Sequence, residues 1–270
     1  MNNNNDNRLG GNIGHDSGAA KAATSWSLTG AFLLLALCFV LVVTGIHDAG
    51  AYEVKDPVDA GGIRGKVHIG NAIPLVKRVP IFKNQKICGL EHRDIPLVQA
   101  NGDGLLNTVV YLENISSGKP FPAAAKKITI NQLGCRFIPH LSVLANGGEV
   151  EIINSDTILH NIHAYEMIGK TNFSSFSVSQ PQRGDIVSKR IGLKKNVGMR
   201  IMCDAHNFML GFVFVSRNPY YAVVDSDGEF FIDNVPPGTY TIRTWHGNLG
   251  GKEASVSIQP NGVVSIEFFY

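Results

Sequence analysis

Cys203, His206 and Met209 stand close together in the run CDAHNFM, and His160 lies upstream in LHNIH. A strand ending at Cys203 presents one thiolate, and the short loop after it returns His206 and then Met209 to the same point. His160 comes from a separate loop and closes the set. Two imidazoles, a thiolate and a weak axial thioether form the trigonal site suited to copper electron transfer. Thiolate and thioether hold Cu(I), while imidazole serves both oxidation states. Zinc matches less well, because methionine is an unusual ligand for it. Taken singly, Cys203 and Met209 read as core residues and the histidines as surface ones. The four in this order point to copper.

Such a site needs a rigid frame, and the chain around it reads as all-β. Residues 64–69 and 127–130 alternate, 108–112 is β-branched and aromatic, 198–202 leads into Cys203, and 212–215 (FVFV) is continuously apolar. Further strand candidates lie at 150–152, 221–224, 229–232, 239–244, 255–258 and 263–269. Turn signals separate them at NGDG (101–104), NGG (146–148), SDG (226–228), PPG (236–238) and NG (261–262). Short strands punctuated this often predict β-sandwiches or barrels. No segment after residue 50 holds a 3.6-residue period over three turns. SSGKPFPAAA (116–125) reads as a linker.

The chain has 270 residues, 44% hydrophobic and 17% charged, which is a folded composition and excludes wholesale disorder. A net charge of +2 without basic runs argues against nucleic acid as a partner. G-x-x-x-x-G-K-[ST], G-x-S-x-G and H-E-x-x-H are absent, which removes the commonest nucleotide, serine-hydrolase and zinc-protease signatures. Residues 1–24 read as a disordered polar tail. Residues 25–46 contain AFLLLALCFVLVV within an uncharged run from Ala22 to Ile46, long enough to anchor the chain in a membrane. Ala49-Gly50-Ala51 offers a small-x-small cleavage site, so a cleaved signal stays open. Either way the remainder is expected outside the cytoplasm, in a periplasm or cell envelope. There Cys88 and Cys135 suggest a disulfide, while Cys38 in the apolar segment reads as inert. His163 is expected to point away from the metal, His140 is a weak candidate for outer support, and His246 reads as a packed β-edge residue.

The cluster resembles the blue-copper cupredoxins of amicyanin and plastocyanin type. Their amicyanin-type ligand loop runs Cys-x-x-His-x-x-Met into a β-strand, and the first ligand lies in an HNVH run. C-D-A-H-N-F-M and H-N-I-H match here. The resemblance implies a Greek-key sandwich over 126–217 and one type 1 copper held by His160, Cys203, His206 and Met209. It implies that Asn161 ties the two ligand loops together. In the family the loop histidine often has an exposed edge where partners dock. Carried over, Phe208 and Leu210 would form an apolar docking patch for a redox protein such as a cytochrome, dehydrogenase or oxidase. Leu159 and Asp204-Ala205 stand where the family often has prolines.

Residues 218–270 are similar to the transthyretin-like carboxypeptidase regulatory domain. D-x-D-G-x-F matches at Asp225–Phe230 and P-P-G-x-Y at Pro236–Tyr240. The stretch is short for that fold, and strands within 62–115 are expected to supply what it lacks, with the copper domain inserted between two halves. The expected function is one-electron transfer without catalysis. Copper storage or delivery is an alternative, as is a non-catalytic envelope binding module with a structural copper. A copper oxidase or nitrite reductase needs a second copper, and no separate histidine cluster is evident.

Overall fold

Alternation of buried and solvent-facing side chains sets many of the strands. In Glu149–Asn154 every second residue is buried, the pattern of a strand with one face on a core. The computed structural model describes residues 52–270; the tail and the apolar segment at 25–46 lie outside the described residues. Among the described residues no helix is long and apolar enough to cross a membrane.

A first pair of sheets carries the candidate ligands. One sheet has the order Phe137–Ile138, Lys127–Gln132, Glu149–Asn154, Ile186–Arg190. The other has the order Leu141–Ala145, Leu210–Ser216, Gly198–Met202, His160–Ile168, Thr171–Gln180. Ile130, Leu144, Ile152, Ile162, Ile201 and Val213 meet in the core between them.

A second pair is built from both flanks of the chain. Thr108–Glu113 lies between Tyr221–Val223 and Gly238–His246, with Glu253–Ile258 beyond. In the facing sheet Gly61–His68 pairs with Glu229–Val235 and, in parallel, with Val263–Phe269. Strands before the first pair of sheets are thus hydrogen-bonded to strands after it, around a core that includes Ile63, Leu112, Tyr220 and Ile242.

Two strands are buried on both faces, which is why they read as unbroken apolar runs. In Leu210–Ser216, Val213 and Val215 face the first core, while Phe212 and Phe214 join Val109, Tyr111 and Trp245 in a third cluster. In Thr108–Glu113, Val110 and Leu112 face the second core and Val109 and Tyr111 the third. Tyr111 and Trp245 lie 4.9 and 5.7 Å from Phe214, ring to ring. The close approach requires Gly198: a Cβ there would sit 2.6 Å from the Trp245 ring.

Segment 62–115 is not all of one kind. Between its two sandwich strands, Leu75–Pro80 and His92–Val98 form a separate hairpin. That hairpin turns to the first core, to which it contributes Val79, Ile81, Cys88 and Ile95. A disulfide joins its Cys88 to Cys135. The stretch read as a linker carries a short strand, Ser117–Gly118, parallel to Glu53–Val54, and a four-residue helix, Ala123–Lys126.

Candidate metal centre

Strand ends bring the donors together. His160 is the first residue of His160–Ile168, and Cys203 follows the last residue of its neighbour Gly198–Met202. The loop then turns twice. The His206 N–H bonds to the Cys203 carbonyl (3.3 Å) and the Met209 N–H to the His206 carbonyl (2.9 Å), after which the chain re-enters the sheet at Leu210. The two Nδ1 atoms of His160 and His206 lie 3.2 Å apart, and Cys203 Sγ lies 3.9 and 3.7 Å from them. All three residues are buried, and Met209 is buried in the same core as Cys203. Cys203 is the one free thiol among the described residues.

The outer partners decide which ring atoms are open. His160 Nε2–H donates to Asp156 Oδ2 at 2.8 Å, and His206 Nε2–H donates to Asn84 Oδ1 at 3.0 Å. Carboxylate and amide oxygens only accept, so each Nε2 carries a proton, and a ring with that single proton has its Nδ1 lone pair free. Two bare acceptors then face each other beside a thiol in a space without water access. A cation between them removes that repulsion, and histidine ligands held by outer partners are the usual arrangement at metal sites. The donor set therefore fits copper. The group Cys135, Asp156 and His160 also lies close together, but the Cys135 sulfur is spent in the disulfide.

Burial, and then the neighbouring His160, pushes the His206 imidazole down to about 4. Burial pushes the Cys203 thiol up, against N–H donors from Asn161, His206 and Ala205. Burial also pushes Asp156 up, yet the N–H groups of Cys135 and Gly134 and the His160 ring together hold it below the usual carboxylate range. Asn161 spans both ligand loops: its N–H points at Cys203 Sγ (3.4 Å), its Oδ1 accepts the Asp204 N–H, and its Nδ2 donates to Asp204 Oδ2 (2.7 Å).

Other histidines stay apart. His163 is held by Asp204, Ser174 and Tyr165 on the outer side of its strand. His140 donates from Nδ1 to the Leu210 carbonyl (3.1 Å). The expected docking patch is corrected. Phe208 is 6% exposed, because Arg93 of the 75–98 hairpin lies 5.4 Å over its ring. Leu210 is partly buried against the first core. His206 is itself 3% exposed, so the edge expected at the surface is roofed by Asn84. Asp156 stands four residues before His160 and is visible as a spacing. Asn84 and Arg93 come from far along the chain and leave no local signal.

Residues 215–266 match the family model described as polysaccharide lyase family 4, domain II. This differs from the transthyretin-like assignment that the turn motifs suggest. Among curated proteins none matches. A copper-containing nitrite reductase from Thermus scotoductus is 20% identical over 44% of this chain and 25% of its own, with a TM-score of 0.27. A reduced Cu(I) amicyanin is 20% identical over 40% of this chain and 98% of its own, at 0.28. A purple cupredoxin from Nitrosopumilus maritimus is 19% identical over 33% and 98%, at 0.27. The chain spans a quarter of the nitrite reductase, and the likeness in each case is of part of the fold.

Proposed function

We propose that this chain is an extracytoplasmic copper protein that exchanges single electrons with a redox protein and catalyses no reaction of its own. The observation that carries this reading is the convergence of the His160 and His206 Nδ1 atoms on the Cys203 sulfur. Bound there, copper would supply a Cu(II)/Cu(I) couple. His160, Cys203 and His206 would hold it, with the buried Met209 as a further, weaker donor. The chain's own part is to keep the donors still. His160 and Cys203 are fixed by neighbouring strands, and Asn161 ties one loop to the other. Burial of both imidazoles excludes water and further ligands. The raised thiol means that Cys203 gives up its proton as the metal binds.

The Cys88–Cys135 disulfide supports an oxidising compartment. The apolar segment at 25–46 would bring the chain there as an anchor or a signal. Absorption and electron paramagnetic resonance of the Cu(II)-loaded full chain test the proposal. The expected result is an intense visible band and a narrow copper hyperfine splitting, both lost in Cys203→Ser. A pale, ordinary copper spectrum would overturn it. Rapid loss of copper to a chelator would favour storage or delivery instead. For the C-terminal sandwich, the match at 215–266 favours a second role as an envelope polysaccharide-binding module. Polysaccharide binding retained by copper-free Cys203→Ala would separate that role from the metal.

A further inference from the structure

The 75–98 hairpin does more than cover the ligand loop. Its tip begins at Ile81, which is buried, and returns at Cys88, which is buried and bonded to Cys135. Arg93 fastens the base: it donates to the carbonyls of Gly134 (2.9 Å), Cys135 (2.6 Å) and Cys88, while its guanidinium covers Phe208. Between these anchors Asn84 accepts the His206 Nε2 proton, and Asn84 is exposed. A hydrogen-bonded route from the metal donors to solvent therefore runs through His206 and Asn84 to the hairpin tip.

The surface at that exit is distinctive. Three of the 18 exposed large apolar side chains among the described residues, Phe82, Ile87 and Leu90, lie in the tip between the paired Pro80 and His92, and Phe82 and Leu90 are 85% and 73% exposed. Lys83 and Lys86 stand on either side of Asn84, both exposed, and the acid of the tip is Glu91 at its base, where its carbonyl accepts the Ile81 N–H. A small apolar centre with lysines around it suits brief contact with a partner of opposite charge.

We infer that the hairpin tip, and not the ligand loop, is the docking surface, and that its occupant is a one-electron redox protein with an acidic face. The inference rests on the electron-exchange reading proposed above. The electron the partner loses is the one the site gains, or the reverse, and no atoms transfer.

The test uses the full copper-loaded chain, with stopped-flow rates against a cytochrome of net negative charge and one of net positive charge. The expected result is faster reaction with the acidic cytochrome, at a rate that falls as salt rises. Lys83→Glu with Lys86→Glu should slow that reaction at least tenfold at low salt, and Phe82→Ala should slow it less. Lys194→Glu with Lys195→Glu, before the far end of the Gly198–Met202 strand, should leave it unchanged. The visible band should be the same in all variants. Equal rates in the two double variants, or a preference for the basic cytochrome, would overturn the inference. So would a dimer abolished by Phe82→Ala, which would make a second copy the occupant. Indifferent rates with an intact visible band would remove the docking surface alone. Absence of the band in the unaltered chain would remove the copper reading and this inference with it.

Discussion

Two pairs of histidines compare directly, the buried His160 with His206 and the half-buried His140 with the buried His246. Burial pushes His206 and His246 alike down to about 4, and in each the other histidine of the pair is the next cause. In burial and in its effect His206 and His246 are alike. They differ in where Nδ1 points. His246 Nδ1 accepts the N–H groups of Asn248 and Leu249 at 3.2 Å, and His140 Nδ1–H donates to the Leu210 carbonyl. Backbone groups thus take up these nitrogens and lock a turn. His160 and His206 use Nε2 on their outer partners instead, and leave both Nδ1 atoms facing each other and a thiol. A depressed imidazole therefore marks burial, while unspent lone pairs aimed at one point mark a site.

The sharpest way to break this comparison is to delete one member of each pair. His206→Ala should abolish the visible copper band. His246→Ala should leave the band intact and lower stability, because two partly buried N–H donors lose their acceptor, at about 1–3 kcal/mol, read by denaturant titration. A band lost in both variants would make the pairs equivalent.

The pairs also differ in their roof. Cys88→Ser with Cys135→Ser frees the hairpin above His206 and removes a cross-link spanning 47 residues. In the chain-entropy relation that is worth about 4 kcal/mol of unfolding free energy. Copper should then leave faster to a chelator, while the His246 turn is untouched. Unchanged copper loss would show that the roof does not seal the site.

A smaller effect belongs to pH. His246 in the folded chain titrates near 4, below its ordinary 6.5. As pH falls the unfolded chain takes the proton first, so stability is full above pH 6.5 and drains away down to about 4. The loss is on the order of 3 kcal/mol. In the copper-free chain His206 drains stability over the same window, so His246→Gln should lower the slope of unfolding free energy against pH there without abolishing it. An unchanged slope would place the acid sensitivity elsewhere.

What reads directly from sequence is what is local. Cys203, His206 and Met209 fall on one loop, FVFV is a strand buried on both faces, and the turns sit at Gly and Asn. The hairpin escapes, because Leu75–Pro80 exposes all but one residue and carries Lys77, Arg78 and Pro80, so no alternation betrays which core it serves. Asn84 reaches His206 across 122 residues, and nothing near Asn84 announces it. The exposure expected of Phe208 fails for the same reason, since burial there is decided by Arg93 on that hairpin.

The least effect, and the most discriminating, concerns Asp156, which has no counterpart beside His246. One carboxylate serves three donors: the N–H groups of Gly134 and Cys135, at 2.8 Å each, and His160 Nε2–H. Those donors keep it charged in spite of burial. A charged carboxylate on the far side of an imidazole makes that ring a stronger donor, and it favours the more highly charged oxidation state of a bound metal. Asp156→Asn keeps the shape and an accepting oxygen but removes the charge. Copper affinity should fall roughly 10–100-fold, with the visible band retained and the reduction potential raised. If Asp156 only positioned the ring, both oxidation states would weaken together and the potential would stay where it was. A voltammogram of Asp156→Asn beside the unaltered chain therefore separates charge from position, and a potential lowered by the substitution would contradict both.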